Sequence, residues 1–242
     1  MLKNDEHFKA FPQLNDLPDQ AWLHSSASIN LTMTDLHFNS DSLQDKLIRS
    51  LAVDNLLPIK EVLECFEYFH RIRRQTRAKV VADLCCGHGL LGLLFAIYER
   101  KVDKVLLVDK NEPESRQKII KALSKVAPWI ESKIENKACK ISPDVDWLPA
   151  GTAIVSAHAC GKLSDLCIEM AIISKGPMAI LPCCYPKSSC KSPISLQRAL
   201  GFEMAFDIER TYHLEKSGFH SKWSYIPKAI SPMNRIIQAK PQ

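Results

Sequence analysis

The stretch VVADLCCGHGLLGLLFA, residues 80–96, constrains this chain more than any other. An apolar run stops at an acid, Asp83, crosses Gly87 and Gly89, and resumes with apolar residues at helical spacing. Glycine lets the backbone turn sharply and approach a ligand, and a helix that starts there offers unpaired N–H groups. The stretch reads as a strand, a ligand loop and a helix. It fits the dinucleotide pattern G-x-G-x-x-G poorly and lacks the Gly-Lys-Ser/Thr of a phosphate loop.

The surroundings repeat the alternation. KVVADL reads as a strand, LLGLLFAIYER as a helix and KVLLVD as a second strand, because short continuous Val/Leu runs suit strands buried on both faces. EPESRQKIIKALSKVA is a helix with Pro113 at its first position. SKIENKAC is a weaker third strand, TAIVSA a fourth, KLSDLCIEMAIIS a helix and GPMAILP a fifth strand. A broken helical segment runs to Gly218, and HSKWSYI and NRIIQAK complete seven strands. Such alternation predicts an α/β fold: a Rossmann-like, doubly wound, mostly parallel seven-stranded sheet with helices on both faces.

Upstream, Leu43, Leu47 and Leu51 and, beyond Pro58, Ile59, Val62, Leu63, Phe66 and Phe69 predict two helices. Residues 1–40 read as a loosely structured arm. The expected division is an arm and helical extension over 1–75 and one catalytic-size domain over 76–242.

The longest apolar run is about nine residues, against the ~20 needed to span a bilayer, and the N-terminus lacks the apolar core of a signal peptide. A cytoplasmic protein with no membrane association is expected. Nine cysteines, with Cys85–Cys86 and Cys183–Cys184 adjacent, suit reduced thiols better than a disulfide framework. The formal charge of +5 is uneven. Residues 186–242 carry nine Lys or Arg against four acids, while residues 1–45 carry two Lys against seven acids. HRIRRQTRAK, with Arg71, Arg73, Arg74 and Arg77, reads as a solvated helix end that could instead contact phosphates.

Ligands of open parallel sheets bind at the carboxyl ends of the strands. Asp109 ends the second strand, 26 residues after Asp83, where a carboxylate can accept both hydroxyls of a ribose. A glycine loop with a ribose acid suits NAD or S-adenosylmethionine. The acidic Asp83 favours the cationic, phosphate-free S-adenosylmethionine.

Asp83-Leu-Cys85-Cys-Gly87-His-Gly89 resembles motif I of class I S-adenosylmethionine-dependent methyltransferases, usually Asp-x-Gly-x-Gly-x-Gly, with Cys85 replacing the first glycine. A residue with a Cβ there demands negative φ or accepts strain. His158-Ala-Cys160-Gly161, the later Cys183-Cys184 and the tail IPKAISPMNRII resemble the methyltransferase domain of glutathione S-transferase C-terminal domain-containing proteins. More distantly they are similar to tRNA 2′-O-methyltransferases. The resemblance covers roughly residues 60–240.

It implies that Asp83, Cys85, Gly87 and Gly89 line the methionine end of the cofactor, with Asp109 on the ribose and Lys110 and Ala157 beside it. Ala138-Cys139-Lys140-Ile141 carries no acid for the adenine, leaving that contact to backbone. His158 and Cys160, where the fourth strand ends, and Tyr185 after the fifth are the catalytic candidates, His158 as a proton acceptor. Cys183, Cys184, Lys187 and Arg235 are substrate-binding candidates, and Lys187, Lys191, Arg235 and the 71–77 arginines are expected to form a basic rim. The clustered thiols read as small apolar walls, with zinc ligation alongside His158 and a thiol nucleophile as the other readings, and no resident metal is expected. Asp165 reads as a helix cap. The expected activity is methyl transfer to an RNA, tRNA or rRNA, with no sequence-specific DNA binding; the sequence leaves the oligomeric state open, with a monomer favoured. The alternatives are a small-molecule or protein acceptor, or a non-catalytic cofactor- or zinc-binding protein.

Overall fold

A computed structural model describes residues 7–242, apart from the side chain of Ser188. Residues 1–6, the start of the expected arm with Lys3, lie outside the described residues. The helices are α1 (Leu31–His37), α2 (Leu43–Ala52), α3 (Ile59–Ile72), α4 (Leu90–Tyr98), α5 (Glu114–Ser124), α6 (Lys162–Ser174), α7 (Ile194–Leu200) and α8 (Phe202–Lys216). The strands are β1 (Val80–Leu84), β2 (Lys104–Asp109), β3 (Ile134–Ala138), β4 (Ala153–Ala157), β5 (Met178–Leu181), β6 (Phe219–Tyr225) and β7 (Arg235–Pro241).

The sheet order is β3-β2-β1-β4-β5-β7-β6. The first five strands are parallel, and β7 pairs antiparallel with both β5 and β6. Parallel strands bury both faces, and the residues divide by parity. Val81, Val105, Leu107 and Val155 pack with α3, α4 and α5, while Ala82, Leu106, Val108 and Ile154 pack with α6 and α8. Seven strands and helices on both faces agree with the sequence pattern. One boundary shifts: Pro113, with φ −70° and ψ 144°, stands just ahead of α5 as its cap, because its extended ψ cannot continue into helix.

The expected loose arm is packed instead. Short 3₁₀ turns at Pro12–Leu14 and Ala21–His24 seat Phe11, Leu14, Leu23 and Ile29, all fully buried, in the same core as α3 and α4. Glu67 on α3 is the reason. Its buried carboxylate accepts the backbone N–H groups of Lys9, Ala10 and Phe11 at 3.1, 2.8 and 3.3 Å, and it pairs with Arg71. Arg71 also donates to the carbonyls of His7 and Tyr225. Irregular backbone can be buried only where its polar groups find partners. Among the described residues no helix is long and apolar enough to cross a membrane.

Candidate active site

Register sets the site. Asp83 lies opposite Leu107 in the β1–β2 ladder, and Leu107 and Asp109 share parity, so both acids project to the α4 side of the sheet. Their carboxylates are already employed in building the loop. The Gly92 N–H, in the first turn of α4, donates to Asp83 Oδ2 at 2.9 Å, and the Gly87 N–H donates to Asp109 Oδ2 at 2.9 Å.

Arg116 on α5, fully buried, completes the loop's anchorage. Its Nε and one terminal nitrogen donate to the Gly87 carbonyl at 2.9 and 2.7 Å. Gly87 is thus held at both backbone polar groups. Gly92 is required by packing, since a Cβ there would stand 2.5 Å from Leu107 Cδ2 and 3.1 Å from Asp83 Cβ.

Cys85 takes φ +56°, so the residue in the first glycine's place adopts the left-handed backbone that glycine would hold without strain. Gly87 and Gly89 are also left-handed, at +51° and +79°. At Gly87 nothing lies within 4 Å of where a Cβ would be, so the loop opens onto free space.

The Asp83 side chain is 1% exposed. Burial pushes its carboxyl up to about 7, against the Gly92 amide and Arg116, which pull it down. It supports the start of α4 from beneath. Asp109 is only half-buried, and beyond Gly87 it receives the Asn111 N–H at 3.3 Å, which leaves lone pairs for a ligand. The Leu90 N–H is taken by His88 Nδ1 at 3.1 Å. With Leu90 and Gly92 satisfied, the helix start is not arranged as the pyrophosphate seat an NAD site uses. An open glycine turn, a half-exposed acid ending β2 and a buried acid below fit a phosphate-free adenosyl sulfonium.

The sequence reading missed four more residues. Glu61 and Glu64 on α3 reach His88 and His158, with 3.1 Å from Glu61 Oε2 to His88 Nε2 and 3.1 Å from Glu64 Oε2 to His158 Nε2. Glu64 is buried, and its Oε2 faces the His158 ring. His158 stands just beyond β4 with φ +67°. Burial opposes its charged form, but contact with Glu64 and the charges of Glu64 and Glu61 outweigh this and raise its pKa. Asp207 and Arg210 on α8 are the other two. Asp207 is fully buried and accepts from Tyr185 Oη at 2.8 Å, Arg235 at 2.5 Å and Arg210 at 3.3 Å.

That network reassigns three expected residues. The Tyr185 hydroxyl is held by Asp207, and Arg235 is bound to the same carboxylate with its guanidinium over Trp223 at 5.1 Å, so neither faces outward unengaged. Asp165 pairs with Arg210 at 2.7 Å rather than capping α6. Arg71 is committed to Glu67 and to the His7 and Tyr225 carbonyls, and Arg73 to Glu99, so neither is available to a rim around the loop. Lys110 and Lys187 are exposed at the loop end, and Ala157 is half-buried at the end of β4.

Of the five thiols expected to converge, three do. Cys160, Cys183 and Cys184 have their sulfur atoms within 4.8 Å of one another. Cys85 lies against Cys167 of α6, and Cys86 packs on the opposite core. Burial and the neighbouring thiols push Cys183 well up.

A family model described as a methyltransferase domain matches residues 58–191, more than half of the chain and all of the loop, His158 and thiol cluster just described. The chain belongs to this methyltransferase family. Its domain is of the class I, S-adenosylmethionine-dependent type. It is similar to the glutathione S-transferase C-terminal domain-containing protein of Xenopus laevis, 26% identical over 131 residues, which are 53% of this chain and 20% of that protein. The match thus spans about a fifth of the relative's length.

Distant fold likenesses include the ribosomal protein L11 methylase of Lactobacillus delbrueckii subsp. bulgaricus (14% identity, 76% of this chain and 79% of that one, TM-score 0.44). Another is a SAM-dependent methyltransferase of Aquifex aeolicus (16% identity, 73% and 90%, TM-score 0.43).

Proposed function

We propose that this methyltransferase acts on RNA, tRNA or rRNA, and that it is a relative of the methyltransferase domain of glutathione S-transferase C-terminal domain-containing proteins, working in the cytoplasm. One observation carries the RNA reading. An exposed lysine follows each of four of the five parallel strands: Lys110 after β2, Lys140 after β3, Lys162 after β4 and Lys187 after β5. All four stand at the carboxyl edge, where the glycine loop lies, and phosphate contacts of this kind position a nucleic acid without reading its bases. Arg235, committed to Asp207, is not among them.

When bound, S-adenosylmethionine supplies an electrophilic methyl group on a sulfonium. Asp109 would hold the ribose hydroxyls, with Lys110 beside it, and Gly87 leaves the space the ligand needs. Asp83 acts at a distance, through its hold on the Gly92 amide at the start of α4. Ala157, at the end of β4, would border the cofactor. His158, made more basic by Glu64, would accept the proton of a hydroxyl acceptor, and Glu64 is its positioning residue. We assign residues 1–75 as an extension whose helix α3 supplies Glu61 and Glu64 and packs on one face of the sheet.

Tritiated methyl transfer into fractionated cellular RNA, protein and metabolites tests this reading. Label is expected in RNA, lost in His158→Ala and reduced in a Lys110→Glu, Lys187→Glu double variant. Label confined to metabolites or protein would replace the RNA acceptor. No label in any fraction, with S-adenosylhomocysteine still bound, would point to a non-catalytic role.

A further inference from the structure

The thiols of Cys160, Cys183 and Cys184 form a compact triangle, with Sγ separations of 3.1 Å for Cys160–Cys183, 3.5 Å for Cys160–Cys184 and 3.7 Å for Cys183–Cys184. No part of the methyl-transfer argument uses all three. Adjacent cysteines would diverge on a strand, where successive side chains point to opposite faces. β5, however, ends at Leu181, and residues 182–186 are irregular, so Cys183 and Cys184 can turn toward the same point. Cys160 arrives from the neighbouring strand, since Ala157 and Leu181 are paired in the β4–β5 ladder and both loops leave the sheet at one level.

We propose that Cys160, Cys183 and Cys184 bind a zinc ion as three thiolates, with the fourth coordination position open at the carboxyl edge of the sheet. Zinc–sulfur bonds of about 2.3 Å in a tetrahedron place sulfur atoms about 3.8 Å apart. The triangle is close to this already, with its longest edge at 3.7 Å and its shortest at 3.1 Å. A disulfide would draw one pair to about 2.0 Å and leave the third sulfur unused. Three comparable separations favour one central cation over a bonded pair. Cys160 and Cys184 are exposed, which gives the ion a way in and leaves a coordination position for water or a heteroatom of the acceptor.

The surroundings hold the two loops as a metal site requires. Ser164 Oγ donates to the Ala159 carbonyl at 2.5 Å, and Arg210 donates to the Gly161 carbonyl at 3.3 Å. On the other side Tyr185, next to Cys184, is tied to Asp207. The inference reverses the expectation of no metal and does not depend on the identity of the acceptor.

The test is metal analysis of the full chain purified after growth with zinc, together with cobalt(II) substitution. About one zinc per chain is expected. Replacement by cobalt(II) should give a near-ultraviolet thiolate-to-cobalt absorption band. Cys160→Ser and Cys184→Ser should each lower zinc affinity at least about tenfold and weaken the band, whereas Cys139→Ser and Cys190→Ser should leave both unchanged. Calorimetric binding of S-adenosylhomocysteine in every variant separates loss of metal from loss of fold or of the cofactor site. The proposal is overturned if the folded wild type takes up neither zinc nor cobalt, or if Cys160→Ser and Cys184→Ser keep full zinc affinity. It is equally overturned if mass spectrometry finds Cys160 and Cys183 joined as a disulfide in zinc-grown protein.

Discussion

Glu64, buried on α3, sets its Oε2 3.1 Å from Nε2 of His158, at the end of β4. Helix α3 thereby reaches the carboxyl edge of the sheet, and Glu64 makes the residue there more basic. His158 is expected to titrate above its usual 6.5 in the wild type and to fall in Glu64→Gln. A raised folded pKa means that this contact adds stability fully below about 6.5. The contribution disappears as pH rises through the folded midpoint. Proton NMR titration of the His158 ring measures this, and an identical midpoint in both proteins would remove Glu64 from its positioning role.

Asp83 carries the opposite pH signature to an ordinary carboxylate. Its folded value of about 7 lies above the unfolded 3.8, so between these values the native state binds the extra proton. Stability from this group is therefore fully present at low pH and falls as pH rises toward 7, by a few kcal/mol in order of magnitude. Asp83→Asn retains an acceptor for Gly92 and carries no charge. Urea unfolding from pH 4.5 to 8 should show the variant gaining on the wild type as pH rises. A constant difference across the range would contradict this account.

Arg116→Met should cost about 3 kcal/mol, the scale of losing one member of a buried charged network, because the Gly87 carbonyl loses both donors. S-adenosylhomocysteine affinity should fall with it. Arg116→Lys should restore little, since a single ammonium cannot reproduce the two-nitrogen fork on one carbonyl. Thermal unfolding and calorimetry decide both points.

At Cys85 the usual ranking of alanine over glycine should invert. Both substitutions discard the thiol, but only alanine keeps a Cβ at φ +56°. Cys85→Gly should be the more stable by about 1 kcal/mol. Equal or reversed stabilities would show that the loop relaxes when the thiol is removed.

Tyr185→Phe removes one of the donors to Asp207 while leaving Arg235 and Arg210 in place. A loss of about 1 kcal/mol is expected, with S-adenosylhomocysteine affinity and methyl transfer close to wild type. Abolished transfer with intact cofactor binding would instead place the hydroxyl against the acceptor.

The glycine loop and the strand pattern are legible in the sequence because local rules govern them. Apolar runs mark the two-faced strands, and acids stand where strands end. Glu64, Glu67, Arg116 and Asp207 escape such reading, since each is a charged residue on a helix and looks solvent-facing until the tertiary partner is known. Yet α3 holds a clue: Glu64, Glu67 and Arg71 recur at helical spacing beside the apolar stripe, so a helix buried on more than one side must bury them too. Nothing local marks the start of this arm as packed, because the N–H groups of Lys9, Ala10 and Phe11 are satisfied by a carboxylate more than fifty residues away. Convergence of Cys160 with Cys183 and Cys184 was legible in outline from adjacent strand ends. That Cys85 and Cys86 would turn away from them depends on how the glycine loop curls.

The placement of β7 between β5 and β6 governs the order in which the sheet can be assembled. As the polypeptide leaves the ribosome, β6 emerges before the strand that will join it to the rest, and it must wait as an unpaired hairpin arm. A translation stop inside β7 would therefore strand β6 in solvent and uncover the flank of β5, right beside the loop that carries Cys183 and Cys184.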